Sequence, residues 1–306
     1  KHNQCSNNGY AAGNSLSGGI YAIADGMTCI ESNTIIGYQG DSAGGITLNA
    51  TTTPTTKTKI RLNRILSSAK YGLFAGTNVA LTDITENEIR NSTAEDIFVS
   101  LNGGSASVGG LRIEANDITR TGADARSIYM DLQASTLKNV VTRNRIKGTG
   151  TGTSASIGLE IRLPASDVDV FDNEFDSLYY GVKIGGYISG GRLFTKIYER
   201  NRFSNINTAW GLSSTGSTEV VPLVANTYNN VTNKTAANAS IGGNSCGYVC
   251  DKQGDGLTIY GVTASPAAGT WAIGDRAVRV PVVGQPKSWS VTSAGSPGTW
   301  TSEGNL

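Results

Sequence analysis

Charge is scarce in this chain. Only 16% of its 306 residues are Asp, Glu, Lys or Arg, against about 25% in an average soluble domain. The 25 basic and 24 acidic residues leave a formal net charge of +1. No positive excess is available to hold nucleic acid or an anionic membrane surface, so neither is an expected partner. Histidine is almost missing: His2 is the only one, which makes histidine acid–base catalysis improbable. Four cysteines, Cys5, Cys29, Cys246 and Cys250, cannot make up a zinc set with one distant histidine. They read as reduced, partly buried thiols, with a Cys246–Cys250 disulfide as the alternative. No apolar run reaches the roughly 18 residues that a membrane-spanning helix needs. The first ten residues lack an apolar signal core, and there is no initiator Met. The chain therefore reads as a fragment or processed product that begins inside its own repeat array. Also lacking is any i, i+3, i+4 apolar spacing sustained over ten residues, which excludes the helical repeat families of similar period.

Glycine, 39 residues in all, together with Asn, Thr and Ser takes the place of the missing charge. Within that background one tripeptide recurs eight times, Asn followed by any residue and then a large apolar one. It starts at Asn33, Asn63, Asn87, Asn116, Asn144, Asn173, Asn201 and Asn226, at intervals of 24 to 30 residues. Three positions before each Asn stand Ile30, Ile60, Ile84, Ile113, Val141, Val170, Tyr198 and Leu223. Between them the neighbouring positions are mostly polar, the alternation of a strand with one buried face. The repeated Asn then points inward as well, and a buried amide needs partners. Stacked turns supply them as an amide ladder. A second strand follows in most repeats, usually entered by Gly, as in Gly45-Ile46-Thr47-Leu48 and Gly158-Leu159-Glu160-Ile161. Glycine at that point suits a turn with positive φ. The expected fold is all-β, a right-handed parallel β-helix.

Residues 1–253 are assigned to this solenoid, with repeats over 31–240 and a loop over 241–253. Residues 254–306 differ: they hold four of the seven prolines and three of the four tryptophans. They read as a small β module that caps the last edge of the solenoid. The run Ala268-Gly269-Thr270-Trp271-Ala272-Ile273-Gly274-Asp275-Arg276, followed by Ser296-Pro297-Gly298-Thr299-Trp300 and the terminal Thr301-Ser302-Glu303-Gly304-Asn305-Leu306, resembles the C-terminal ends of phage tailspike depolymerases, especially those of phages infecting Acinetobacter. The resemblance covers only these last forty or so residues. It implies a homotrimer of parallel β-helices at a virion's tail tip, acting on bacterial surface polysaccharide. It carries no catalytic residue with it. No cofactor is expected. Trp271, Trp289 and Trp300 are expected to form the core of a trimerising cap, with glycan binding as the alternative.

Only outward positions of a solenoid can meet a polymer. Aligning the Gly-entered strands puts Thr47, Phe74, Phe98, Tyr129, Glu160 and Lys183 in one outward column, with Ser100, Asp131 and Arg162 in the next. Turns stack at about 4.8 Å, so Glu160 and Asp131, one turn and two residues apart, lie roughly 8 Å apart at the backbone. That falls within the separation of about 6.5–9.5 Å used by inverting glycosidases. Glu160 and Asp131 are therefore the candidate catalytic pair, and Tyr129, Arg162, Lys183, Phe98 and Phe74 the candidate substrate-binding set. A polysaccharide lyase or epimerase on the same fold is the alternative. A lyase would use Tyr129 as base and the cations Arg162 and Lys183 to steady the enolate. A non-catalytic receptor-binding spike is the third reading. The same residues also read as cross-strand ion pairs that solvate a sheet face, and Phe74 with Phe98 as a subunit contact. Glu31, Glu114 and Glu199 occupy another outward column, and Asp83, Glu86, Glu95, Asp96, Asp172 and Asp176 fall near turns where a groove could recruit them. No metal is expected; Asp167-Val168-Asp169 is the nearest local calcium candidate, and alternation turns one of its carboxylates inward.

Overall fold

A computed structural model describes residues 4–6, 19–23, 28–37, 44–49, 57–68, 70–76, 79–101, 110–120, 126–132, 137–150, 156–162, 168–185, 198–213, 225–237, 250–253, 256–267, 271–295 and 297–306. There is no helix among them. The repeats fold as the expected parallel β-solenoid. Each turn supplies a leading, a middle and a trailing strand. Leading strands stack into a seven-stranded parallel sheet that runs from Cys29–Glu31 through Thr58–Arg61, Thr82–Thr85, Arg112–Glu114, Asn139–Thr142 and Val168–Phe171 to Tyr198–Glu199. Middle strands such as Arg64–Leu66, Glu88–Arg90 and Asp117–Thr119 form a second ladder. Trailing strands such as Tyr71–Ala75, Ile97–Leu101, Arg126–Leu132 and Ile157–Arg162 form a third. The last two ladders belong to one fifteen-stranded sheet, because Glu174–Gly185 runs through both.

The apolar columns fill the interior. Ile60, Ile84, Ile113, Val141 and Val170 face inward from the leading strands, and Ile35, Ile65, Ile89, Ile118, Ile146, Phe175 and Phe203 from the middle strands. Each such side chain contributes about 1.5–3 kcal/mol on burial. Phe175, Phe203 and Tyr228 stack with ring centroids 5.2 and 5.5 Å apart. Leu223, expected in the same column as Ile60, lies outside the described residues.

The repeated Asn side chains form the expected ladder. Asn63 Nδ2 donates to Asn87 Oδ1, Asn87 Nδ2 to Asn116 Oδ1, and Asn144 Nδ2 to Asn173 Oδ1, each at 3.0 Å. Each Oδ1 also accepts the backbone N–H of the Asn before it, as Asn116 Oδ1 does from Asn87 at 3.0 Å. Each Nδ2 reaches back to a leading-strand carbonyl of the preceding turn, as Asn116 Nδ2 does to Ile84 O at 2.9 Å. The amide is thus satisfied on both sides inside an apolar core. The sequence concealed what turns the chain into this position. Ser32, Leu62, Glu86, Ala115, Arg143, Asp172, Arg200 and Ala225, each just before a ladder Asn, all have φ between 53° and 56°. A non-glycine residue there costs roughly 1–2 kcal/mol.

Glycine serves a different purpose from the one expected. Positive φ is recorded at Gly37, Gly110 and Gly150 but not at the strand-entry glycines Gly45, Gly72, Gly158 and Gly181. These are required by close packing instead. A Cβ on Gly72 would lie 2.6 Å from Ile89 Cγ2, and one on Gly181 would lie 2.5 Å from the Phe203 ring. The inward side chain of the next turn sits where a Cβ would be.

The C-terminal sheet has five strands, in the order Cys250–Gln253, Gly256–Val262, Arg276–Arg279, Ser288–Ser293, Thr299–Ser302. It takes in Cys250–Gln253, which the sequence placed in the loop before residue 254. That segment has no apolar alternation and is held by antiparallel pairing with Gly256–Val262. Trp271 and Trp289 are buried with Val262, Ala277 and Val291, and Trp300 packs against them. The residues that carry the tailspike resemblance have structural duties. Gly274 turns the chain at φ 93°, Asp275 accepts the Ala272 N–H at 2.7 Å, and Arg276 Nε donates to Glu303 at 2.8 Å. Burial alone would push the Glu303 carboxyl up, but Arg276, Ser288 and Ser290 together bring it down to about 2.

Replacing a mid-ladder amide should expose this dependence. Asn116→Ala leaves the Asn87 N–H and the Ile84 carbonyl without their partner and is expected to cost roughly 3 kcal/mol in denaturant unfolding. Asn226→Ala, at the half-buried end of the ladder, should cost under about 1 kcal/mol.

Candidate functional site

The outward column expected from the sequence is a true row. Thr47 pairs with Phe74, Phe74 with Phe98, Phe98 with Tyr129, Tyr129 with Glu160 and Glu160 with Lys183. Asp131, between Ser100 and Arg162, lies in the neighbouring row. Thr47 does not reach solvent: it is fully buried, and its hydroxyl oxygen accepts the Gly44 N–H at 2.9 Å.

The aromatic members pack on one another. Phe74 and Phe98 are 5.4 Å apart and Phe98 and Tyr129 are 5.1 Å apart, the latter nearly parallel at 14°. Tyr71, which the sequence reading passed over, lies 5.4 Å from Phe74 and 5.0 Å from Phe98. It opens its strand three residues before Phe74, out of the column, and side-chain reach brings it back. Tyr129 is not the exposed platform that was expected. Only 6% of it is accessible, because Phe98 covers one face and the Arg126 guanidinium, 4.1 Å from the ring centroid, lies over the ring. Phe74, Phe98 and Tyr71 are half-buried and keep an open side.

Two carboxylates converge on Arg126. Its Nε lies 3.2 Å from Glu160 and 3.6 Å from Glu95. Lys183 approaches the other oxygen of Glu160 at 3.6 Å, the ion pair anticipated from register. Burial pushes the Glu95 carboxyl up, against the pull of Arg126, Arg120 and Lys70, and Glu160 pushes it in the same direction as burial. Arg162, opposite Asp131 in register as expected, donates to the Tyr129 hydroxyl at 3.1 Å and lies within the fields of both Asp131 and Glu160. Glu95 and Arg126 lie three residues upstream of the aromatic column, which is why alignment on that column missed them.

Beneath this face lies a buried ion pair. Asp96 occupies the inward row otherwise made of Gly45, Gly72, Ser127, Gly158 and Gly181, and it is fully buried. Arg120, 1% exposed, approaches it at 3.4 Å and donates to the carbonyls of Ser92, Thr93, Ala94 and Arg126. Burial drives the Asp96 carboxyl up to about 7, even with Arg120 and Ser92 favouring its charged form. The pair ties the chain behind Glu95 to the start of the Arg126 strand.

The sheet of leading strands presents a second, mostly polar surface. A groove of about 350 Å³ is lined by Lys59, Arg61, Asp83, Thr85, Glu86, Arg112, Glu114 and Arg143. Glu114 lies at its floor, 7% exposed at the side chain, and both Arg112 and Arg143 bind it, one on each oxygen. Lys57 pairs with Asp83 at 3.6 Å and Arg61 with Glu31 at 3.0 Å. Asp172 and Glu199 are both taken by Arg200. Asp176 lies 3.9 Å from Lys147.

Asp169, half of the calcium candidate, is held by Lys138 at 2.6 Å, and Asp167 lies outside the described residues. Among the described residues no three His, Cys, Asp or Glu side chains gather as a metal set. Cys29 is a free, exposed thiol, and Cys246 lies outside the described residues. No family model, characterised protein or solved structure matches this chain.

The Asp96–Arg120 pair gives a pH dependence with a definite sign. Native Asp96 holds its proton up to about pH 7, whereas an unfolded Asp releases it near pH 3.9. Between those values the unfolded chain binds fewer protons, so stability falls as pH rises. Asp96→Asn should flatten that fall between about pH 4 and 7 in unfolding midpoints measured across the range.

Proposed function

We propose that the chain is a tailspike that binds and depolymerises a host capsular polysaccharide or exopolysaccharide by glycoside hydrolysis. The observation that carries this reading is one sheet face on which a stripe of aromatic rings, with Tyr71, Phe74 and Phe98 open on one side, runs directly into a cluster of carboxylates and cations. Rings offer apolar surface to the C–H faces of sugars, and carboxylate pairs cleave glycosidic bonds. Glu95, with its raised pKa, is suited to protonate the leaving oxygen, and Glu160 to activate water on the other side of the bond. Asp131, in the row beside Glu160, is the alternative partner. Arg126 and Lys183 fix Glu160 from two sides.

A lyase is the second reading, supported by the surroundings of Tyr129. Its hydroxyl accepts a hydrogen bond from Arg162 while Arg126 covers its ring, which sets two cations beside a candidate base. Following reducing ends together with the ultraviolet absorbance of an unsaturated uronate on purified capsule separates the two. Reducing ends alone support hydrolysis, and both signals together support the lyase. Binding without either would leave a non-catalytic receptor-binding spike. Under the hydrolytic reading, Glu160→Gln should lower kcat by about a hundredfold or more. Phe98→Ala should raise KM by up to about tenfold and leave kcat nearly unchanged. Full activity in Glu160→Gln would remove Glu160 from the chemistry.

The terminal segment's resemblance supports a virion tail tip as the setting and a homotrimer as the assembly. A patch on the C-terminal sheet suits self-association. Val280, Val282, Val283 and Leu306 are all exposed, Val283 at 92%. The carboxyl end returns to this turn through Gly284 N to Leu306 O and Leu306 N to Gln285 O, both 3.1 Å. Exposed apolar clusters of this kind mark contact surfaces. Val283→Glu should convert trimers to monomers in light scattering. A wild-type monomer in the same measurement would defeat the assembly reading.

A further inference from the structure

We infer that the groove on the leading-strand sheet is a second carbohydrate site, selective for glycans that carry carboxylates. The inference deepens the proposed function and rests on it for the polymer class, but it concerns a different face and different residues.

The groove is built on two adjacent rows of the sheet that are rich in charge of both signs. Lys59, Asp83 and Arg112 pair in register along one row, and Arg61, Thr85 and Glu114 along the next. Arg143, held at φ 54° before its ladder Asn, closes the side. Glu114 is the organising group. It is nearly inaccessible, yet it binds the side chains of Arg112 and Arg143, which remain 48% and 60% exposed. A carboxylate below two guanidinium groups fixes their orientation and leaves their remaining N–H donors for a ligand. Guanidinium forks match planar carboxylates. Lys59 stands at the same groove, with no ion pair recorded to another described residue.

The ligand chemistry follows from the mixture. Four cations and three carboxylates line the groove, so a polymer with several charges on each sugar would meet repulsion from Asp83 and Glu86 as well as attraction. A uronic acid polymer, with one carboxylate and several hydroxyls on each sugar, can divide these between the two kinds of group. Its carboxylates accept from Arg112, Arg143 and Lys59, and its hydroxyls donate to Asp83 and Glu86. A neutral glycan would leave the guanidinium donors without an anion, so discrimination comes from charged hydrogen bonds. Placed on a face separate from the aromatic stripe, the site would hold a long polymer while another stretch of it is cleaved.

Calorimetry with a short oligogalacturonate and a neutral oligosaccharide of equal length tests this, with no reference to catalysis. The uronate is expected to bind and the neutral oligomer not, and binding should weaken as salt screens the groove. Arg143→Asn, which keeps a residue tolerant of positive φ, and Lys59→Gln should each weaken uronate binding about tenfold. Phe98→Ala should leave it unchanged. Equal binding of both oligomers, or no uronate binding at low salt, would overturn the proposal. So would uronate binding that survives both groove substitutions and is lost in Phe98→Ala, which would assign the anion to the aromatic face. Depolymerising activity can fail while this binding stands, and the reverse, so the two readings are separable.

Discussion

A primary amide enclosed by Ile, Val and Phe has to be answered by another polar group, and the rest of this fold depends on how that is done. Asn at the start of each middle strand meets the demand with its equivalents above and below. Each Oδ1 takes two N–H groups from the turn before, and each Nδ2 serves the next amide and a carbonyl behind it. The ladder is satisfied only when neighbouring turns stand in one register. The positive φ at eight successive corners is tolerated for the same reason: the strain is offset by amide hydrogen bonds formed only once the next turn is in place.

Fixed register turns a winding chain into rows, and rows decide which side chains meet. Phe74, Phe98 and Tyr129 come from three different turns and are neighbours only because their strands pair without slippage. Arg126 reaches Glu95 in one turn and Glu160 in another, so one cation organises acids that are 65 residues apart in sequence. On the leading-strand sheet the same rule sets Lys59, Asp83 and Arg112 side by side. The two faces share a scaffold and differ in chemistry, aromatic with paired acids on one and alternating charge on the other.

The solenoid was legible because its signals are local and repeated: apolar residues at fixed offsets from Asn, read with period two. The rows followed from the same alignment, and Phe74, Phe98, Tyr129, Glu160 and Lys183 fell where it placed them. The corners were not legible, because Ser32, Leu62, Glu86 and Arg143 have no common backbone preference; tertiary stacking imposes their conformation. The strand-entry glycines misled in an instructive way, since glycine permits both positive φ and close approach, and only packing distinguishes the two. Glu95 and Asp96 are adjacent in sequence yet differ completely. Glu95 turns outward to Arg126, while Asp96 turns inward among glycines and meets Arg120. Side-chain reach across a corner decides both, and reach has no period.

The amide ladder also has a direction. Among the described residues, every amide-to-amide bond of the ladder runs from the lower-numbered turn to the higher-numbered one. The glycine row has the same sense, with each open position on one turn filled by a side chain of the turn after it. Aligned dipoles of this kind add along the axis, as peptide dipoles do in a helix. The described turns therefore share one polarity, and a turn can take the place of another only if its Asn keeps the same sense of donation, which a reversed turn could not do.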